Sequence, residues 1–149
     1  MNRFKPTLAL GTLAVAVSVA LTAGAAACDT DLLEGLKGNY VGQQTGWRST
    51  MDVSAVDTGA CSIESSWATR RADEEEVTGT LTMTLSKEET TGADGVLTGN
   101  WASGDNQGEA RFVVRRKGQH LNGRIMGLQD QPAGPWDFIK VVPKDEAGN

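Results

Sequence analysis

Val77-Thr78-Gly79-Thr80-Leu81-Thr82-Met83-Thr84-Leu85-Ser86 is the stretch that decides the fold. Val77, Gly79, Leu81, Met83 and Leu85 fall on one side of an extended chain, and Thr78, Thr80, Thr82 and Thr84 on the other. A strict period of two marks a strand with one buried face, and branched Thr side chains favour that conformation. A helix would scatter the same residues around its circumference.

The neighbours on both sides repeat the pattern at short intervals. Downstream, Asp94-Gly95 is a turn signal before a strand over 96–102, and 103–108 (SGDNQG) is a loop. A strand over 109–116 pairs with one over 119–126 across Lys117-Gly118, 127–135 is a longer loop with two prolines, and 136–142 closes the series. Upstream, 60–70 places Cys61, Ile63, Ser65 and Trp67 on one face. The turn residues Asp57-Thr58-Gly59 separate it from 48–56, where Met51, Val53 and Ala55 share a face. With 37–44 as the first strand, the count is eight. One helical turn over 30–36, capped by Asp29 or Thr30, precedes them. No helix long enough for a crossover lies between strands, which excludes a parallel sheet. The expectation is an all-β, antiparallel up-and-down meander closed into a small barrel, with a two-sheet β-sandwich as the alternative.

The chain has 149 residues, a single-domain length. Residues 1–27 stand apart. Arg3 and Lys5 precede an apolar run over 8–22, which ends in small residues at Ala25-Ala26-Ala27. That is the plan of a secretory signal peptide, so the chain divides into a signal (1–27), an N-terminal segment (28–36), a barrel (37–142) and a polar tail (143–149). The expected location is the periplasm or the exterior. The net charge is −5, and losing Arg3 and Lys5 makes the domain more acidic, which disfavours nucleic acid and anionic lipid as partners.

The two cysteines have competing readings. An even count in an exported chain favours a Cys28–Cys61 disulfide. Gly24-Ala25-Ala26-Ala27-Cys28 also looks loosely like a lipobox, although Ala25 stands where Leu is usual, and acylation of Cys28 would anchor the chain to a membrane.

A pentad recurs. Leu36-Lys37-Gly38-Asn39-Tyr40 is echoed by Leu97-Thr98-Gly99-Asn100-Trp101, and more loosely by Val77-Thr78-Gly79-Thr80-Leu81 and Leu121-Asn122-Gly123-Arg124-Ile125. Its three key residues share one strand face. Glycine weakens a strand, so its repetition there implies tight coiling or a ring lying across the gap, with space for a ligand as the competing reading. The first two pentads resemble the L-x-G-x-W strands of avidin-type barrels, and 51–56 (MDVSAV) is similar to that family's second strand. The layout also resembles other exported eight-stranded barrels of the calycin kind, including secreted protease inhibitors with one disulfide. The resemblance implies a barrel. It does not imply biotin binding, because Gly42 stands where the avidin pattern has Asn, and Thr45-Gly46 where it has Gly-Ser.

Composition and spacing limit the chemistry. One His and two Cys leave no ordinary zinc set and no His-based triad, and no G-x-S-x-G elbow occurs. We therefore expect no catalytic residues, no metal and no cofactor. Trp67 and Trp101 read as core, while Trp47 and Trp136, beside Gly and Pro, read as lining a barrel mouth. The first functional expectation is a small molecule bound among Tyr40, Trp47, Trp101 and Trp136. The alternative is a factor that binds another exported protein, such as a hydrolase inhibitor, through 29–35 or 127–135. Arg111, Arg115 and Arg124, with Arg116 and Lys117 nearby, form a candidate basic patch for an acidic partner, or a solvated face paired with acids. The run 73–76 (DEEE) reads as a solubilising loop, and His120 as exposed. A carrier needs an open interior, whereas an inhibitor can have a filled one.

Overall fold

A computed structural model describes residues 28–87, 92–129 and 131–144; the expected signal peptide and the end of the polar tail lie outside them. One helix, α1 (Thr30–Gly35), precedes eight strands: β1 (Gly38–Gly42), β2 (Trp47–Asp57), β3 (Ser62–Arg71), β4 (Val77–Ser86), β5 (Gly95–Ser103), β6 (Asn106–Arg115), β7 (His120–Ile125) and β8 (Trp136–Lys140). Each strand pairs antiparallel with the next, and β8 returns to β1 through Tyr40↔Lys140, Val41↔Ile139 and Gly42↔Phe138. The meander is therefore a closed barrel, and the sandwich alternative is set aside. Closure leaves no strand with an unpaired edge.

The inward face follows from the alternation. In β4, Leu81, Met83 and Leu85 are buried, and the threonines beside them are exposed. In β6, Ala110, Phe112 and Val114 are buried, and Arg111 points outward. The expected face fails at one place. Ala55 is exposed and Val56 turns inward, because a β-bulge shifts the β2–β3 register between Val53 and Ala55. One extra residue reverses the side of every residue after it.

Pentad glycines, together with Gly108, make this narrow barrel possible. Trp67 is the cross-strand partner of Gly79, and Trp101 of Gly108. Each indole lies where a side chain on the glycine would stand, and a Cβ on Gly108 would sit 2.5 Å from Trp101 Nε1. At Gly99 and Gly123 the strands themselves come close. A Cβ there would meet the carbonyls of Thr82 and Arg111, and would lie 2.7 Å from Met83 Cα and 2.6 Å from Phe112 Cα.

Both ends of the barrel are covered. At the end holding the β2–β3, β4–β5 and β6–β7 connections, α1 inserts Leu32, Leu33 and Leu36, all buried. Asp29 caps the helix, its side chain accepting from Leu32 N at 2.9 Å. The Cys28–Cys61 disulfide ties the helix start to the β2–β3 turn across 33 positions. A loop of that size contributes about 3–4 kcal/mol. Because Cys28 Sγ is in this bridge, it is not available for acylation, which corrects the lipid-anchor alternative. At the other end the β7–β8 connection folds over the mouth. Pro132 is buried, and Leu128 packs against the core. Asp130 lies outside the described residues.

We expect Gly99→Ala to destabilise the domain by about 3 kcal/mol or more, because backbone on the adjacent strand cannot yield. Gly59→Ala, in an exposed turn, should cost less than about 1 kcal/mol. Urea unfolding of the oxidised protein measures both, and equal costs would contradict the close-approach explanation.

Candidate functional site

Trp67 stands at the centre of the barrel. It projects inward from β3, and its ring centroid is 6.4 Å from that of Trp101 and 6.1 Å from that of Trp136, both edge-on. Trp136 continues to Phe138 at 5.3 Å, and Phe138 to Phe112 at 6.1 Å. Trp67, Trp101 and Trp136 are at most 3% exposed. Rings at these separations are in contact, so the interior is occupied by side chains.

A thin polar element runs through this apolar filling. Ser49 and Thr69, both buried, bond to each other at 2.8 Å. Trp67 Nε1, Trp136 Nε1 and Ser65 Oγ are buried without a hydrogen-bond partner among the described residues. A buried polar group left unpaired costs about 1–3 kcal/mol, so these three atoms are uncompensated polar groups of the interior. Two glutamines secure the cover above them. Gln131 Nε2 donates to the carbonyls of Ile125 at 2.8 Å and Leu128 at 2.6 Å. Gln44 Nε2 donates to Pro135 O at 3.0 Å.

The four expected ligand residues do not converge. Trp101 and Trp136 do meet, through Trp67, which the sequence reading assigned only to the core. Trp101 Nε1 is committed to Met126 O at 2.7 Å. Trp47 stays on the rim, where the Arg71 guanidinium lies 5.1 Å from its ring centroid. Tyr40 belongs to the helix-plugged end. Its hydroxyl has one proton to share between Leu36 O at 2.9 Å and Gly118 O at 2.7 Å, and burial pushes its ionisation above the ordinary range for a phenol. Lys140 Nζ donates to Gly35 O at 2.6 Å on the same side of the barrel. Tyr40 therefore fixes the plug.

The surface candidates also find places. Arg111 and Arg124 are direct cross-strand partners on the outer face of β6–β7, with Arg115 two positions further along that face from Val113. His120 is half-buried and not exposed as expected, because its Nε2 pairs with Asp137 Oδ1 on the neighbouring strand. Glu74, in the acidic run, lies 3.8 Å from Arg71. The two expected protein-contact segments both have structural duties: 29–35 forms most of the plug and its cap, and 127–135 forms the cover. A groove of about 630 Å³ crosses β1–β4, lined by the outward Val41, Thr50, Asp52 and Thr80 and by the inward Tyr40, Met51, Trp67 and Gly79. Among the described residues, no three of His, Cys, Asp and Glu come together as a metal set.

Compared with protein-family models, curated proteins and solved structures, the chain matches none of them.

Tyr40 is the sole tyrosine, so its titration is directly visible by ultraviolet absorbance. The unfolded phenol ionises near pH ~10, whereas the folded one holds its proton to higher pH. The unfolded state therefore loses the proton first, and stability falls by about 1.4 kcal/mol per pH unit above pH ~10. Tyr40→Phe should remove that component of the alkaline slope. A phenolate signal appearing near pH ~10 with the fold intact would contradict the buried plug contact.

Proposed function

We propose that this chain is an exported, non-catalytic domain of calycin-like build that works through its outer surface, by binding another exported protein. The observation that carries this reading is the occupied interior: Trp67, Trp101, Trp136, Phe112 and Phe138 fill the space a carried molecule would need. The disulfide between Cys28 and Cys61 supports export, since such bridges persist in oxidising compartments. A stapled, filled barrel also suits a binding partner. It holds its surface in one shape and spends little conformational entropy on association.

A second reading is a small polar molecule held beneath the β7–β8 cover. The unpartnered Trp67 Nε1, Trp136 Nε1 and Ser65 Oγ favour it. Such a guest would offer hydrogen-bond acceptors to the two indoles, and it would enter by displacing Pro132 and the Gln131 contacts.

Native mass spectrometry of the oxidised protein from its own host separates the two. We expect the mass of the bare chain. We also expect photo-cross-linkers on the outer strand faces to give one discrete protein adduct in the host, suppressed by excess purified chain. A stoichiometric small molecule retained in the spectrum, or no competed adduct, would overturn the protein-binding reading.

A further inference from the structure

We infer that the outer face of β8 and β1–β4 docks a second copy of this chain, the two related by a two-fold axis. The inference goes beyond the protein-binding reading, which concerns a different chain, and neither depends on the other.

Register lays this face out in rungs. The first holds Arg48 opposite Arg70. The next runs Ile139, Val41, Thr50, Ala68 and Thr78 across five strands without a charge. The third runs Asn39, Asp52, Ser66 and Thr80. Val141 extends it, since its N–H donates to Asn39 O at 2.8 Å. Glu64 and Thr82 oppose each other on the fourth. Cations therefore stand at one end of the face and acids at the other, with an uncharged rung between them.

Exposed apolar side chains gather on the same face. Of the five large hydrophobic residues exposed among the described ones, Val41, Ile139 and Val141 are here. Such a cluster marks an interaction surface more than a solvated one. Its Val, Thr, Ser and Ala side chains have little rotamer freedom to lose on docking.

Charge names the occupant. A two-fold axis in the contact plane, along the uncharged rung, stacks that rung on itself and reverses the strand direction. Arg48 of each copy then lies over Asp52 of the other, and Arg70 over Ser66 with Glu64 one rung beyond. An axis parallel to the strands would set arginine on arginine, so only the first arrangement is attractive. Within one chain Arg48 and Arg70 are opposed like charges, and neither they nor Asp52 and Glu64 are in an ion pair among the described residues. The two arginines do not line the groove of their own barrel. Thr50, Ser66 and Ala68 give that groove short outward side chains, which leaves room for the arginine stems of the second copy. A face five strands wide and six residues deep covers roughly 500 Å². That is below the ~800 Å² per partner of a standard interface, so the dimer is concentration-dependent.

Sedimentation of the oxidised chain from roughly 5 to 500 μM tests the inference. We expect a monomer–dimer equilibrium with a Kd of about 10–100 μM, weakened by added salt. R48E and D52R should each weaken it at least about tenfold. R48E/D52R exchanges the two charges and should restore it, which only a two-fold contact between copies allows. V41K brings like charges together on the axis and should abolish the dimer by a second route. T98K, outside the face on β5, should leave it unchanged. All four positions are exposed, so the fold does not depend on them. A chain that stays monomeric throughout would overturn the inference. So would a double variant no stronger than either single one, or T98K as damaging as V41K. A monomeric chain whose cross-linker at Thr50 captures a different protein in the host would give this face to that partner and remove the dimer alone. A dimer in the purified chain with no competed host adduct would leave this surface standing and remove the protein-binding reading.

Discussion

An indole lying over a glycine on the adjacent strand is the contact on which the rest of this barrel depends. Trp67 covers Gly79 and Trp101 covers Gly108, each pair set by register. A narrow eight-stranded barrel must coil its strands sharply and still fill its centre. The glycines remove the side chains that would obstruct the coil, and the rings occupy the room released. The same exchange explains Gly99 and Gly123, where backbone takes the place of a ring. Trp67, Trp101 and Trp136 are then part of the barrel's construction and fill its interior, while Trp47 stays on the rim with Arg71.

A filled centre shifts the functional question outward. The plug at one end is held by three different means: buried leucines, the Tyr40 hydroxyl and the Cys28–Cys61 bridge. The cover at the other end rests on two glutamine side chains and a buried proline. The two ends are thus closed with unequal strength, and an opening motion belongs to the β7–β8 side. Between the ends lie the outer strand faces, where some side chains, Arg124 and Arg115 among them, also brace loops. Charge is distributed unevenly, and the β6–β7 hairpin holds five of the chain's 14 lysines and arginines.

Much of this was legible before any coordinates. The alternation in Val77–Ser86 fixed a strand whose bounds and faces agree with the structure, because burial on one side of a strand imposes a period of two. The pentad marked inward glycines, since a residue that weakens strands recurs there only for a geometric reason. Other features depended on contacts far apart in sequence. Nothing local shows that Tyr40 would reach Gly118, 78 positions away, and turn from a ligand candidate into part of the plug. The bulge after Val53 is equally hidden, because Ala55 and Val56 are both apolar and either would suit the inward side. Trp67 reads as ordinary core in its strand, and only the closed barrel makes it the hub of three indoles. Gln131 and Gln44 carry no periodic signal, so their part in securing the cover emerges only from the loop geometry.

The most direct test of the central claim, that the barrel is filled and closed, is exchange of the four indole N–H protons with solvent, followed by NMR. The account predicts rapid exchange at Trp47. Trp67 and Trp136 should be strongly protected by burial, and Trp101 by burial together with its bond to Met126 O. Exchange at Trp67 and Trp136 as fast as at Trp47 would mean that the interior is open to water, and it would return the small-molecule reading to first place.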